Sequence, residues 1–142
     1  MIDAFWDSSS LVPLCVTQAA SEKARQLVQE YSLVAWWGTS IEIASAIQRL
    51  TRTGDISQQE GQASHLRRKK LVKTFRTIQA EGPVLEQAEA IILKYPVKAA
   101  DAMQLAAAMV WTMLDPVGST FISGDRQVLA VAKELGFEVI QC

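Results

Sequence analysis

Four carboxylates stand where this chain departs from simple packing patterns. Asp7 closes the apolar run Ile2-Asp3-Ala4-Phe5-Trp6, and Glu42 follows Trp36-Trp37-Gly38-Thr39-Ser40-Ile41. Asp101 interrupts the apolar stretch Ala99-Ala100-Asp101-Ala102-Met103, and Asp125 ends Thr120-Phe121-Ile122-Ser123-Gly124. Acids gathered at one place repel one another, and a hard divalent cation with oxygen ligands relieves the repulsion. A cation held by carboxylates points in turn to hydrolysis of a phosphodiester. The functional content of the sequence depends on whether the four converge.

Convergence needs a scaffold, and the chain has the rhythm of one. Short apolar runs at 2–6, 33–37, 120–123 and 137–140 alternate with longer helical patterns, as in a parallel sheet covered by helices. A weaker strand is expected near Gly82-Pro83-Val84. Helices are expected at 8–14, 20–31, 40–52, 57–79, 85–94, 98–112 and 126–135. No repeat or low-complexity linker divides the sequence, so residues 1–142 read as one α/β domain with a central parallel sheet of four to five strands.

Ligands of open α/β sheets bind beyond the carboxyl ends of the strands. Asp7 and Asp125 each end a strand, and right-handed crossovers bring both to the same edge of the sheet. In the helix at 40–52, Ile43, Ile47 and Leu50 form the core stripe, and Glu42 lies at its border, able to look into a cleft. The helix at 98–112 is apolar nearly all round, interrupted by Lys98, Asp101, Gln104 and Thr112. Asp101 is therefore expected at or near the interior, where an unpaired charge is costly.

Each acid also has a local explanation. Asp7 and Asp125 could be N-caps of the helices that follow them. Glu42 completes Thr39-Ser40-Ile41-Glu42, a capping-box pattern. Asp101 falls in a first helical turn, three residues from Lys98. Burial makes Asp101 the hardest to explain as a surface cap. Other acid chemistries fit the pattern less well. A receiver domain requires an acidic doublet after the first strand, and here Asp7 stands alone. An aspartyl-nucleophile phosphatase requires a second aspartate where Ser9 stands. A glycosidase pair uses two acids and leaves two idle. No P-loop or dinucleotide glycine fingerprint is present.

The 142 residues, 49% of them hydrophobic, suffice for a sizeable core. The net charge of −1 supplies no global attraction to nucleic acid, so any such contact needs a local patch. Arg67-Arg68-Lys69-Lys70, with Lys73 and Arg76, is the candidate. On the helix expected at 57–79, Lys69, Lys73 and Arg76 share a face opposite Leu71, Phe75 and Ile78. That face is either solvated or in contact with RNA phosphates. Cys15 and Cys142 have the spacing of neither a disulfide framework nor a zinc site, which favours a reducing compartment. The N-terminus lacks a basic lead-in, and no apolar run approaches the roughly 20 residues of a membrane span. The expectation is a soluble cytoplasmic protein. His65 has no metal-spaced partner and reads as a surface residue. Trp36 and Trp37 could stack bases, though at least one is expected in the core, and Met109 and Trp111 read as packing.

The ordered blocks Asp7-Ser8-Ser9-Ser10-Leu11-Val12, Glu42, Ala100-Asp101-Ala102-Met103-Gln104-Leu105-Ala106 and Phe121-Ile122-Ser123-Gly124-Asp125-Arg126, followed by Ala132 and Gly136, resemble the PIN-domain ribonucleases, in particular VapC-like toxins of toxin–antitoxin pairs. The resemblance runs from Ile2 to about Ile140. It implies a three-layer α/β sandwich and a Mg²⁺- or Mn²⁺-dependent endoribonuclease acting on RNA. It also implies a homodimer and a cognate antitoxin that blocks the active site. By the same resemblance, Asp7, Glu42, Asp101 and Asp125 are the catalytic and metal-binding acids, and Ser123 is the small hydroxyl residue beside the last of them. Gln104 departs from the pattern, since many members carry histidine there. The segment Asp115-Pro116-Val117-Gly118 lengthens the approach to the last acid's strand. The alternative is a non-catalytic interaction module on the same fold. Retention of all four acids favours the enzyme.

Overall fold

Side-chain alternation along the apolar runs sets the layering. In the computed structural model, which describes residues 1–142, five strands form one parallel sheet. They are β1 (Ile2–Trp6), β2 (Tyr31–Trp36), β3 (Arg76–Ile78), β4 (Thr120–Ser123) and β5 (Glu138–Gln141), in the order β3-β2-β1-β4-β5. Helices make every crossover. These are α1 (Ser8–Cys15) and α2 (Ser21–Glu30), α3 (Thr39–Arg52) and α4 (Gln58–Val72), α5 (Gly82–Lys94) and α6 (Ala99–Trp111), and α7 (Arg126–Leu135).

Successive side chains of a strand point to opposite faces. Ala4, Trp6, Ala35 and Ile122 therefore meet Leu11, Val12, Cys15, Ile43 and Ile47 of α1 and α3 in one core. Phe5, Val34, Trp36 and Phe121 meet Val84, Ile91, Leu105 and Val128 of α5, α6 and α7 in the other. Phe5 and Phe121 stack at 5.4 Å between ring centroids. Burial on both faces explains why these strands read as continuous apolar runs rather than alternating ones.

Two expectations fail in one region. The helix expected at 57–79 stops at Val72, and Arg76–Ile78 instead pairs in parallel with Val34–Trp36. Phe75 packs into the first core and Ile78 into the second, on opposite sides of the sheet. The apparent helical stripe of Leu71, Phe75 and Ile78 thus joins two elements. The strand expected near Gly82-Pro83-Val84 is the first turn of α5, where proline is well tolerated. β1 and β4 have the expected bounds, and β2 and β5 differ from expectation by one or two residues at their ends.

The strand order reverses direction at β1. Both crossovers on the β2 side use helices of the first layer, and both on the β4 side use helices of the second. A crevice therefore opens at the carboxyl ends of β1 and β4, the place where doubly wound sheets bind ligands.

No helix is long and apolar enough to cross a membrane.

Candidate active site

Asp7 follows β1 directly, and its backbone N–H donates to Ile122 O of β4 at 2.9 Å, so it sits inside the crevice. Only 3% of it is exposed. It occupies the N-cap position of α1, yet its side chain makes no capping bond. Its Oδ2 accepts instead from Ser9 Oγ at 2.5 Å and Ser123 Oγ at 2.7 Å. These two hydroxyls accept in turn from the backbone N–H groups of Gly124 and Asp125. A Cβ on Gly124 would lie 2.7 Å from Cys142 O, so only glycine permits this turn.

Glu42 comes from α3, in the crossover between β2 and β3. The helix starts one residue earlier than a capping box needs, because Gly38 is the N-cap and Thr39 is already helical. Released from that role, Glu42 accepts from Ser8 Oγ at 3.3 Å through Oε1 and from Gln104 Nε2 at 2.8 Å through Oε2. Gln104 is fully buried and also donates to Thr39 Oγ1 at 3.0 Å, while its own Oε1 has no partner. A Cβ on Gly38 would fall 2.5 Å from Trp36 Nε1, which fixes glycine at the start of α3.

Asp101 is the third residue of α6 and is half-buried, lining the cleft rather than lying in the interior. The nearly all-apolar helix that suggested deeper burial keeps its Ala102, Leu105 and Ala106 face inside and turns Asp101 to the opening. Asp125 is a true N-cap of α7, with Oδ1 accepting from the backbone N–H groups of Gln127 at 2.9 Å and Val128 at 3.3 Å. Of the three capping roles read from sequence for Asp7, Glu42 and Asp125, only this one forms.

Each acid thus stands in or just before the first turn of its own helix, where the macrodipole favours negative charge. Glu42, Asp101 and Asp125 line a cleft of about 520 Å³ together with Ser8 and Ser9, and Ser9 connects it to Asp7. Burial raises the Asp7 carboxyl above its ordinary range against the hydroxyls of Ser9 and Ser123, and the charge of Asp125 adds to the rise. Burial pushes Glu42 up to about 7, opposed by the Gln104 amide and reinforced by Asp7 and Asp101. Asp101 is raised by burial, then by Asp7 and Asp125, with Lys98 opposing. The four acids therefore feel one another.

No basic side chain forms an ion pair with them, and only Lys98 partly offsets the charge of Asp101. The protein's two ion pairs join Arg67 to Glu60 and Arg76 to Asp3, both away from the cleft. An all-oxygen set of carboxylates and hydroxyls with uncompensated charge fits a hard cation such as Mg²⁺ or Mn²⁺. No three acidic side chains converge on one ion-sized point as they are placed. Asp7 and Glu42 are turned onto their hydroxyl and amide partners, so gathering around an ion requires side-chain rotation.

The basic segment does not form the surface expected of it. Lys69 and Lys73 remain one turn apart at the end of α4, but Arg76 lies on β3 and pairs with Asp3 at 3.6 Å, at the amino edge of the sheet. Arg67 binds Cys15 O and Glu60, and Arg68 binds Ser40 Oγ. His65 is half-buried and hydrogen-bonded to Gln48. Trp36 is core and Trp37 exposed. Sequence reasoning missed Ser8, Ser9 and the structural part of Gln104. The signal for Gln104 was present: it lies three residues after Asp101 in an otherwise apolar helix, the spacing of neighbours on one helix face.

The fold is PIN-like, as the sequence resemblance implied. Among solved structures, the chain is similar to VapC20 of Mycobacterium tuberculosis, a sarcin-ricin loop cleaving toxin, with a TM-score of 0.69, 16% identity, and 98% and 99% of the two chains covered. It is similar to FitAcB of Neisseria gonorrhoeae with a TM-score of 0.70, 16% identity, and 99% and 97% covered. A chain of a toxin–antitoxin complex from Klebsiella pneumoniae matches with a TM-score of 0.65, 18% identity, and 89% and 90% covered. At these identities the likeness is one of fold. No protein-family model and no curated protein matches the sequence.

Proposed function

We propose that this chain is a Mg²⁺- or Mn²⁺-dependent endoribonuclease, the toxin of a toxin–antitoxin pair. The observation that carries the reading is the grouping of Asp7, Glu42, Asp101 and Asp125 around the switch point of the sheet, with no ion pair to any of them. The structural neighbours, a sarcin-ricin loop cleaving toxin among them, support the same class. Asp7 and Asp101 would hold a first cation, and Asp125 and Glu42 would position a second cation or the attacking water. A cation bound there polarises the phosphodiester and lowers the pKa of water.

The chain's own side chains supply the rest. Ser9 and Ser123 keep Asp7 at the cleft, and Gln104 and Ser8 keep Glu42 there, from which side-chain rotation would bring both carboxylates round an ion. A cognate antitoxin that covers the cleft and a homodimeric assembly belong to this reading. Purified protein incubated with mixed RNA, with and without Mn²⁺ and beside Asp101→Asn, tests it. Cleavage that requires both the cation and Asp101 is the expected result. Intact RNA under every condition would leave a non-catalytic module.

A further inference from the structure

The cleft continues past the acids. On α3 it is lined by Glu42, Ser45, Ala46, Arg49 and Leu50, which recur at i, i+3, i+4, i+7 and i+8 and form one face of the helix. With a rise of about 1.5 Å per residue, Arg49 stands roughly 10 Å along the axis from Glu42. Gln18, after α1, also lines the cleft.

Arg49 is the one cation among the residues lining this cleft. It is exposed, and its guanidinium enters neither of the protein's ion pairs. The arginines of α4 differ, since Arg67 and Arg68 are held by protein acceptors. A basic residue near a helix C-terminus is also expected to complement the macrodipole. Arg52 serves that role in the same last turn without lining the cleft. Position in the cleft is therefore what distinguishes Arg49.

We propose that Arg49 forms a phosphate subsite of this cleft, taking a second phosphodiester of the RNA strand whose scissile phosphate lies over the acids. The inference rests on the ribonuclease reading and adds to it a binding residue and a strand path along α3. A guanidinium binds phosphate through paired, charge-assisted hydrogen bonds. A protein of net charge −1 needs such a local anchor to hold a polyanion beside four carboxylates.

The test is binding of a labelled single-stranded RNA in Ca²⁺ over a range of salt concentrations, with steady-state cleavage in Mn²⁺. It compares wild type, Arg49→Ala and Arg49→Lys. Arg49→Ala is expected to weaken RNA binding and raise KM by roughly tenfold while kcat stays within about twofold. It should also reduce the slope of log K against log salt by about 0.7, the value for one phosphate contact on a single strand. Arg49→Lys should restore the slope and only part of the affinity, because a point charge replaces a fork. Unchanged affinity and slope in Arg49→Ala would overturn the proposal. So would a lower melting temperature with an unchanged slope, which would make Arg49 a helix-end residue. If wild type binds RNA with an Arg49-dependent slope yet cleaves nothing, the subsite stands and the ribonuclease reading fails. If cleavage proceeds and is indifferent to Arg49, the ribonuclease reading stands and the subsite fails.

Discussion

Strand β1 carries an aspartate near each end, and the two have opposite surroundings. Asp3, near the amino end, is exposed, accepts from Ser32 Oγ and pairs with Arg76 at 3.6 Å. Asp7, just past the carboxyl end, is buried, pairs with no cation and has three other carboxylates around it. Residue type is the same and the strand is the same. Position on the sheet makes the difference: the amino edge offers water and a basic partner, whereas the carboxyl edge collects the first turns of successive helices and the acids they carry. A fold that concentrates uncompensated charge at one edge sacrifices stability there, which is expected at functional sites.

The sharpest way to break this comparison is to neutralise each aspartate in turn. Asp7→Asn should lower RNA cleavage by at least about 100-fold, the scale of losing one preorganised electrostatic group. It should leave the melting temperature without added metal equal or higher, because a buried like charge disappears. Asp3→Asn should leave cleavage unchanged and stability within about 1 kcal/mol, as for any exposed ion pair. Equal effects at the two ends would remove the distinction.

Asp125 separates capping from chemistry. Asparagine caps a helix as well as aspartate, so Asp125→Asn should keep thermal stability while cleavage falls. Asp125→Ala should lose cleavage and about 1 kcal/mol of stability. A fully active Asp125→Asn would reduce this residue to its cap.

Gln104→Leu should reduce cleavage by roughly 10–100-fold, the usual scale for a group that orients a metal-binding side chain. Mn²⁺ affinity measured by calorimetry should weaken in parallel. Unaltered affinity and rate would mean that Ser8 alone positions Glu42.

A smaller effect concerns pH. Glu42 is raised from 4.5 to about 7, and Asp7 and Asp101 are raised as well. The folded protein therefore holds these protons more tightly than the unfolded chain does. For Glu42 this contribution to stability is present below about pH 4.5 and is lost as pH rises through about 7, and the raised carboxyls of Asp7 and Asp101 act in the same direction. In EDTA, the melting temperature should rise by roughly a few degrees on acidification from pH 8 to 5.5. Saturating Mn²⁺ should flatten or reverse that trend, because it binds the ionised acids. A melting temperature that climbs with pH in EDTA would contradict the crowded-carboxylate picture.

Much of this arrangement was legible in the sequence, for identifiable reasons. Asp7 and Asp125 could be placed at one edge because strand endings and crossover handedness are local signals with a global consequence. The segment around Arg76 misleads because Leu71, Phe75 and Ile78 mimic a helical stripe while facing two different cores. Three residues of edge strand are too few to show a period of two. Glu42's apparent capping box fails on a one-residue shift of the helix start, set by Gly38 against the Trp36 ring. The roles of Ser9 and Gln104 are hard to read in the sequence because they bridge to partners distant along the chain, Ser9 to Ser123 and Gln104 to Glu42 and Thr39.

The central claim is that the carboxyl edge, and not the amino edge, holds a divalent cation. Isothermal titration of Mn²⁺ into wild type, Asp7→Asn and Asp3→Asn at about pH 7.5 tests it most directly. Saturable binding is predicted in wild type and Asp3→Asn, and its loss in Asp7→Asn. No binding to wild type, or equal binding by all three proteins, would contradict it.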